Sequence, residues 1–272
     1  MTPNNQPPAR NLTVDRALRV LEAFLGEERQ LGVGELARQL DLDKSVIHRI
    51  LTTLVGRRFI EQDPVTRRYQ IGLRAWELGQ RYRAGHRLRD LAHAELVGIT
   101  HQHPYTTGYL SILDGADAVV LTTVRGPGPI NLYIDPVTRM VAELTTTGRV
   151  LLAWLPAAQM TEVVTQRRSL GQGEWPYLTF DELADKLATI RASGFGDNRR
   201  GPSPPGVGTV AVAIRGNDGR AMAALTIDFL SGPETVQLWE ALPSELAASA
   251  ARIEQAINTA RSHGTADQGG TP

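Results

Sequence analysis

The stretch GELARQLDLDKSVIHRILTTLVGRRFIEQDPVTRRYQ, residues 34–70, decides how the rest of the chain is read. Leu36, Ala37 and Leu40 share one side of a short helix, Asp41-Leu42-Asp43 makes a turn, and Asp43 stands where an N-cap would open a longer helix at Lys44. In that second helix Ile47, Ile50, Leu51 and Leu54 recur at i, i+3, i+4 and i+7, which points them inward. Lys44, Ser45, His48, Arg49 and Thr52 are left facing outward. Each can donate to a phosphate or a base edge, and none is acidic. Residues 59–61 and 68–71 then alternate as two short strands around a turn containing Pro64, with Phe59, Ile60 and Ile71 expected in the core. Arg67 and Arg68 fall at or beside the tip, within reach of a phosphate or the minor groove. A helix-turn-helix followed by a cationic hairpin is shaped for duplex DNA, helix into the major groove and wing along the backbone.

Charge supports the reading once it is divided along the chain. The formal balance is zero, 29 basic against 29 acidic residues. Residues 10–85 nevertheless carry a cationic excess and the remainder an anionic one. Between Lys44 and Arg68, Lys44, Arg49, Arg57, Arg58, Arg67 and Arg68 oppose only Glu61 and Asp63. Cations concentrated on one element are the footprint of a polyanionic partner, whatever the total.

Other classes recede. The longest apolar runs fall short of the roughly 18–20 residues a bilayer span needs. The opening MTPNNQPPARN has no apolar stretch behind its arginine, so residues 1–10 read as a flexible arm, and a cytoplasmic protein with no membrane association is expected. Without cysteine there is no disulfide framework or thiolate metal site, and no metal or cofactor is expected. No GxSxG or phosphate loop occurs, and His101 and His103 are spaced too closely to share a helical face, so no catalytic residue and no enzyme is expected.

Outside the decisive stretch, Thr13 can cap a helix carrying Val14, Leu18, Leu21 and Leu25 at helical spacing. Taken together, VDRALRVLEAF (14–24), LGVGELARQLDLDKSVIHRILTTL (31–54), YQIGLRAWELG (69–79), ELTTTGRVLLAWLP (143–156) and GPSPPGVGTVAVAI (201–214) resemble the IclR family of bacterial transcription regulators across residues 11–261. The resemblance implies an α+β chain with an N-terminal winged helix-turn-helix domain (11–72), a connector helix (73–85), a GAF-like effector-binding domain with antiparallel sheet and flanking helices (86–262), and a flexible tail (263–272). Val46 stands where the family commonly has threonine, leaving an apolar contact for a thymine methyl. Lys44, Ser45, Val46, His48, Arg49, Thr52, Arg57, Arg67 and Arg68 are the expected DNA-binding set.

In the second half, hairpin strands at 107–113 and 118–124 flank Asp114-Gly115-Ala116-Asp117, and residues 130–133 read as another strand. Helices are expected at 147–154, 157–167, 180–192 and 234–262, the third opened by a Thr179/Glu182 capping box. Strands 210–214 and 221–229 flank Gly216-Asn217-Asp218-Gly219. Gly79 and Gly85 weaken the connector, either as hinges or to permit close packing. Thr145, Thr146, Thr147 and Gly148 open a helix whose amides suit a carbonyl or anionic oxygen, although threonines and a glycine also simply start helices. Position by position, the resemblance implies a cavity walled by Leu132, Met140, Thr146, Thr147 and Gly148, with polar groups from Asn198, Thr209, Thr226 and Asp228. Thr209 replaces a usual cysteine and Asp228 a frequent serine; Arg199 and Arg200 stand where carboxylates are common.

The expected function is a ligand-responsive, sequence-specific DNA-binding regulator, repressor or activator. Its partners are a double-stranded DNA operator, a small-molecule effector such as an organic acid or aromatic metabolite, and further copies in a dimer or tetramer. The alternative is a DNA-binding regulator whose second domain is a ligand-free oligomerisation scaffold.

Overall fold

The structure is a computed structural model and describes residues 11–26, 28–84, 87–129, 131–170, 178–199 and 206–266. Backbone contacts divide the chain into two compact units, the break falling between Gly85 and His86.

The first unit runs α1 (Leu12–Glu22), a 3-10 turn (Ala23–Leu25), α2 (Val33–Leu40), α3 (Lys44–Gly56), β1 (Ile60–Gln62), β2 (Tyr69–Ile71) and α4 (Leu73–Ala84). Its core gathers Val20, Phe24, Leu36, Ile47, Leu51 and Ile60. The α3 stripe is buried at all four expected positions. β1 and β2 pair antiparallel, Ile60 opposite Ile71, and Leu31 exchanges both backbone bonds with Tyr69 at 2.9 Å, a single bridge beside the two-stranded wing. Ile71, expected in the core, is 40% exposed: it shares a face with Ile60 and Tyr69 but stands at the end of β2, where the core does not cover it.

Two expectations for α1 fail. Asn11, not Thr13, caps the helix; its Oδ1 accepts from the amides of Thr13 and Val14 at 3.1 and 3.3 Å. Val14, Leu18 and Leu25 are exposed, while Ala17, Val20, Leu21 and Phe24 pack inward. Both sets repeat at i, i+4 or i, i+3, i+4, i+7 and share Leu21, so periodicity alone could not choose. The set containing Val20 and Phe24 is the one that meets Leu36, Ile47 and Leu51 in the core. On α4, Leu73, Trp76 and Leu78 are exposed. A Cβ at Gly79 would meet nothing within 4 Å, so packing inside this chain does not require glycine there; Gly85 lies outside the described residues.

The second unit runs α5 (Arg87–Gln102), β3 (Thr106–Asp114), β4 (Asp117–Arg125), β5 (Arg139–Val141), a 3-10 turn (Ala142–Leu144), α6 (Thr146–Ala153), α7 (Ala157–Ser169), α8 (Phe180–Ser193), β6 (Phe195–Asp197), β7 (Val207–Arg215), β8 (Ala221–Leu230), a 3-10 turn (Pro233–Thr235) and α9 (Val236–Ala266). The six strands form one antiparallel sheet in the order β5-β4-β3-β8-β7-β6. Alternation sorts its two faces. Leu110, Val210, Val212, Ile214, Leu225 and Ile227 pack with Leu96, Trp239, Leu242 and Leu246 of α5 and α9. The opposite face carries Ala118, Ala211, Ala213 and Ala224 against Val150, Leu151, Met160, Leu183 and Leu187 of α6–α8. Thr179 and Glu182 make the expected reciprocal cap of α8, at 2.7 and 3.2 Å.

The expected strand at 130–133 is absent at its described residues. Asn131 folds back, its Nδ2 donating to the carbonyls of Gly126 and Gly128, and the Leu132 carbonyl accepts from the Thr107 hydroxyl. The edge beside β4 is taken instead by β5, which, like β6, is three residues long and carries too little pattern to read. Residues 263–266 continue α9, so the expected tail begins later; residues 267–272, like the arm at 1–10, lie outside the described residues.

Candidate functional site

Two regions, one in each unit, bring together the side chains the sequence singled out. In the first, α3 is oriented by its buried stripe, and Lys44, Ser45, His48, Arg49 and Thr52 are all exposed on the other side. Thr52 Oγ1 donates back to the His48 carbonyl at 2.8 Å, which leaves its oxygen as an acceptor toward solvent. Arg57, at the C-cap of α3, is exposed, and so is Arg67. Arg67 sits at φ +59°, where the hairpin turns, and the turn is braced by Asp63, whose Oδ1 accepts from the Val65 and Thr66 amides at 2.8 and 2.7 Å. Those amide bonds hold the Asp63 carboxyl below its ordinary pKa.

Two members of the expected DNA-binding set are placed otherwise. Val46 is half-buried against the core of this unit, so its apolar side chain is spent on packing. Arg68 turns back onto α2: its guanidinium reaches both Glu35 oxygens at 3.1 and 2.8 Å and the Gln30 carbonyl at 2.8 Å. Glu35 in turn accepts from the Gly32 amide at 2.7 Å. The Gly32 amide and the Arg68 guanidinium together hold the Glu35 carboxyl below its usual pKa.

In the second unit, register places a polar cluster on the α6-facing side of the sheet. Tyr109 lies opposite Thr226, and Asp228 opposite both Thr107 and Thr209. Asp228 Oδ1 accepts from Thr209 Oγ1 at 2.8 Å and from the Tyr109 hydroxyl at 3.4 Å. Tyr109 OH and Thr147 Oγ1 are 3.1 Å apart, and Thr147 Oγ1 and Thr226 Oγ1 3.0 Å. Every one of these side chains is buried. Burial pushes the Asp228 carboxyl up to about 7 against the hydrogen bonds from Thr209 and Tyr109, which favour the charged form. Burial and the neighbouring Asp228 charge push the Tyr109 phenol well above its ordinary value.

Thr147, Thr209, Thr226 and Asp228 are therefore brought together as expected. Thr146, also buried, borders a separate cleft of about 370 Å³ with Arg149, Lys186 and Asp197. Asn198 is buried, but Nδ2 donates to the Val207 carbonyl and Oδ1 accepts from the Thr209 amide, so it fixes the start of β7. Gly148 serves packing: a Cβ there would lie 2.2 Å from Ala142 Cα, and its amide is taken by the capping Thr145 hydroxyl at 3.1 Å. Met140 packs against the α6–α8 side of the core, and Leu132 meets the cluster through its carbonyl on Thr107. Arg199, standing where the resemblance leads one to expect a carboxylate, donates to the Trp239 carbonyl at 2.8 Å and stacks on that ring; Arg200 lies outside the described residues. Sequence reasoning missed Tyr109 and Thr107. Their signal was the alternation Thr107, Tyr109, Ser111 on one face of β3.

Among the described residues, no group of three or more His, Cys, Asp or Glu is placed to hold a metal, and no helix is long and apolar enough to cross a membrane.

Comparison with known proteins bears on both units. The family model of the IclR helix-turn-helix domain matches residues 13–64, and that of the bacterial transcriptional regulator IclR C-terminal matches residues 81–264. The chain is 27% identical over 227 residues to the HTH-type transcriptional regulator XynR of Escherichia coli, covering 80% of this chain and 86% of that one. It is 29% identical over 225 residues to BhcR of Paracoccus denitrificans, covering 81% and 77%. In fold it matches an IclR homolog from Microbacterium hydrocarbonoxydans, complexed with 4-hydroxybenzoate, with a TM-score of 0.73 at 21% identity over 91% of this chain and 99% of that one. Both curated relatives are transcription regulators. With a helix-turn-helix head matched at one end and the regulator's C-terminal domain over most of the rest, the chain belongs to the IclR family of DNA-binding transcription regulators.

Proposed function

We propose that the outward side of α3 reads an operator in the major groove, that Arg57 and Arg67 engage the flanking backbone, and that a small-molecule effector bound at the Asp228 cluster modulates this binding. The observation that carries the DNA reading is the exposed, acid-free set Lys44, Ser45, His48, Arg49 and Thr52 on a helix whose other side is anchored by four buried aliphatics. The effector reading is supported by the polar cluster itself. Burying a carboxyl and four hydroxyls on one sheet face is costly for a domain that needs only to be stable. A homolog of the same fold, moreover, is a complex with a small aromatic acid. The protein acts as at least a dimer, since half-sites about one DNA turn (~34 Å) apart require two heads. Leu18 and Leu25 near α1, and Leu73 and Trp76 on α4, are exposed apolar groups that a second copy would cover. Binding DNA puts it with the chromosome in the cytoplasm.

Selection of genomic fragments followed by anisotropy titration tests the proposal. The wild type should retain a few fragments; His48→Ala and Ser45→Ala should change which are preferred, and Arg49→Ala should weaken all of them. No preference for any fragment at low salt would overturn the DNA reading. Thermal melts against metabolites test the second unit, because a specific ligand raises the melting temperature by mass action. If none does so, that unit is an oligomerisation scaffold.

A further inference from the structure

We infer that the effector is a small polyol, a molecule presenting neighbouring hydroxyls and no carboxylate. This rests on the effector reading above and specifies the chemistry of the same site.

The bonding of Asp228 is the first ground. Both bonds it accepts, from Thr209 and Tyr109, fall on Oδ1, and no described residue donates to Oδ2. A carboxyl bonds through both oxygens, so Oδ2 is left open to a donor from a ligand or from water. A hydroxyl supplies it.

Charge is the second. Among the described residues no Lys, Arg or His pairs with Asp228. The buried Arg149, on the helix that carries Thr147, spends Nε on the Glu143 carbonyl at 2.8 Å and Nη2 on the Leu144 carbonyl at 3.2 Å. Arg199, next to Asn198, is committed to Trp239. A carboxylate ligand would therefore lose its hydration beside a second carboxyl, with no cationic side chain among the described residues to offset that cost.

The hydroxyls are the third. Tyr109, Thr147, Thr209 and Thr226 each donate and accept, and form a chain that a ligand hydroxyl can extend at any link without stranding a donor. An ammonium would suit Asp228 but offers no acceptor to that chain. Two residues further along β3, about 7 Å at strand rise, Ser111 is fully buried and its Oγ has no partner. Opposite it stands Ala224, with Ala211 and Ala213 on the same face. A ligand with several hydroxyls along a short carbon chain matches both the cluster and this orphan.

The test uses the full chain, with erythritol and xylitol as polyols and xylonate, 4-hydroxybenzoate and benzylamine as contrasts, all at millimolar concentration. Melting temperature, calorimetry and operator affinity are measured. The polyols should raise the melting temperature in a concentration-dependent way, and xylonate and 4-hydroxybenzoate should not. Asp228→Asn and Thr226→Val should each weaken xylitol binding roughly tenfold or more. Melts without ligand show whether each variant folds; if Asp228→Asn does not, Thr226→Val carries the comparison. Tighter binding of xylonate, 4-hydroxybenzoate or benzylamine than of xylitol overturns the polyol inference and leaves the effector reading standing. The same holds if a metabolite extract alters operator affinity while every polyol is inert. If neither the probes nor the extract changes melting or operator affinity, the effector reading itself falls and takes the inference with it.

Discussion

Arg68 Nη2 lies 2.8 Å from Glu35 Oε2 and 2.8 Å from the Gln30 carbonyl, so the wing is tied to the start of α2 by the arginine that follows its tip. Its neighbour Arg67 is exposed and makes no such tie. The two therefore separate in a salt titration. Arg67→Ala should flatten the slope of log K against log salt by about one unit, the loss of one phosphate contact. Arg68→Ala should leave that slope unchanged and lower the melting temperature of the head. Equal slopes for wild type and Arg67→Ala would remove Arg67 from the interface.

The contact at Gly148 is steric. Its missing Cβ would meet the Ala142 Cα, carbonyl carbon and oxygen, all backbone and unable to swing aside. Gly148→Ala should destabilise the second unit by about 1–3 kcal/mol, the usual cost of overpacking, read as a lower denaturation midpoint. A variant as stable as wild type would show that the 3-10 turn at Ala142–Leu144 shifts freely.

Asp228 makes stability depend on pH in an unusual direction for a carboxyl. Its pKa rises from 3.8 to about 7 in the folded chain. Below the lower value both states hold the proton; between the two, only the folded state does. Stability from this group is thus full in acid and is lost as pH rises toward 7, by roughly 4 kcal/mol at 1.36 kcal/mol per pKa unit. Tyr109, the titratable group bonded to it, stays neutral throughout because its own pKa is raised. The difference in unfolding free energy between Asp228→Asn and wild type should grow from pH 4 to pH 7 and then level. A flat difference would mean that water reaches the carboxyl.

Exposed apolar groups on the head give a test of assembly. Leu18 is 54% and Trp76 59% exposed. Leu18→Glu and Trp76→Glu should leave monomer folding intact, since neither side chain supports the core, yet shift sedimentation toward smaller species and weaken operator binding. Unchanged sedimentation in both would place the self-association elsewhere.

The sequence by itself determined the helix-turn-helix. Its buried stripe is local, four aliphatics within one helix, and the turn before it is local as well; Asp43 takes the N-cap position, but its side chain makes no capping bond. The hairpins around residues 114–117 and 216–219, and the α8 capping box, were legible for the same reason. What only the tertiary structure decided depends on partners distant in sequence. The pairing of Arg68 with Glu35, the choice between two apolar stripes on α1, and the loss of a strand at residues 131–133 follow from which neighbours arrive. So does the recruitment of Tyr109 to Asp228, because strand register joins residues more than a hundred positions apart. A periodic pattern says which side of an element is apolar; it does not say which of two such sides meets the core, or what a buried polar group will find opposite it.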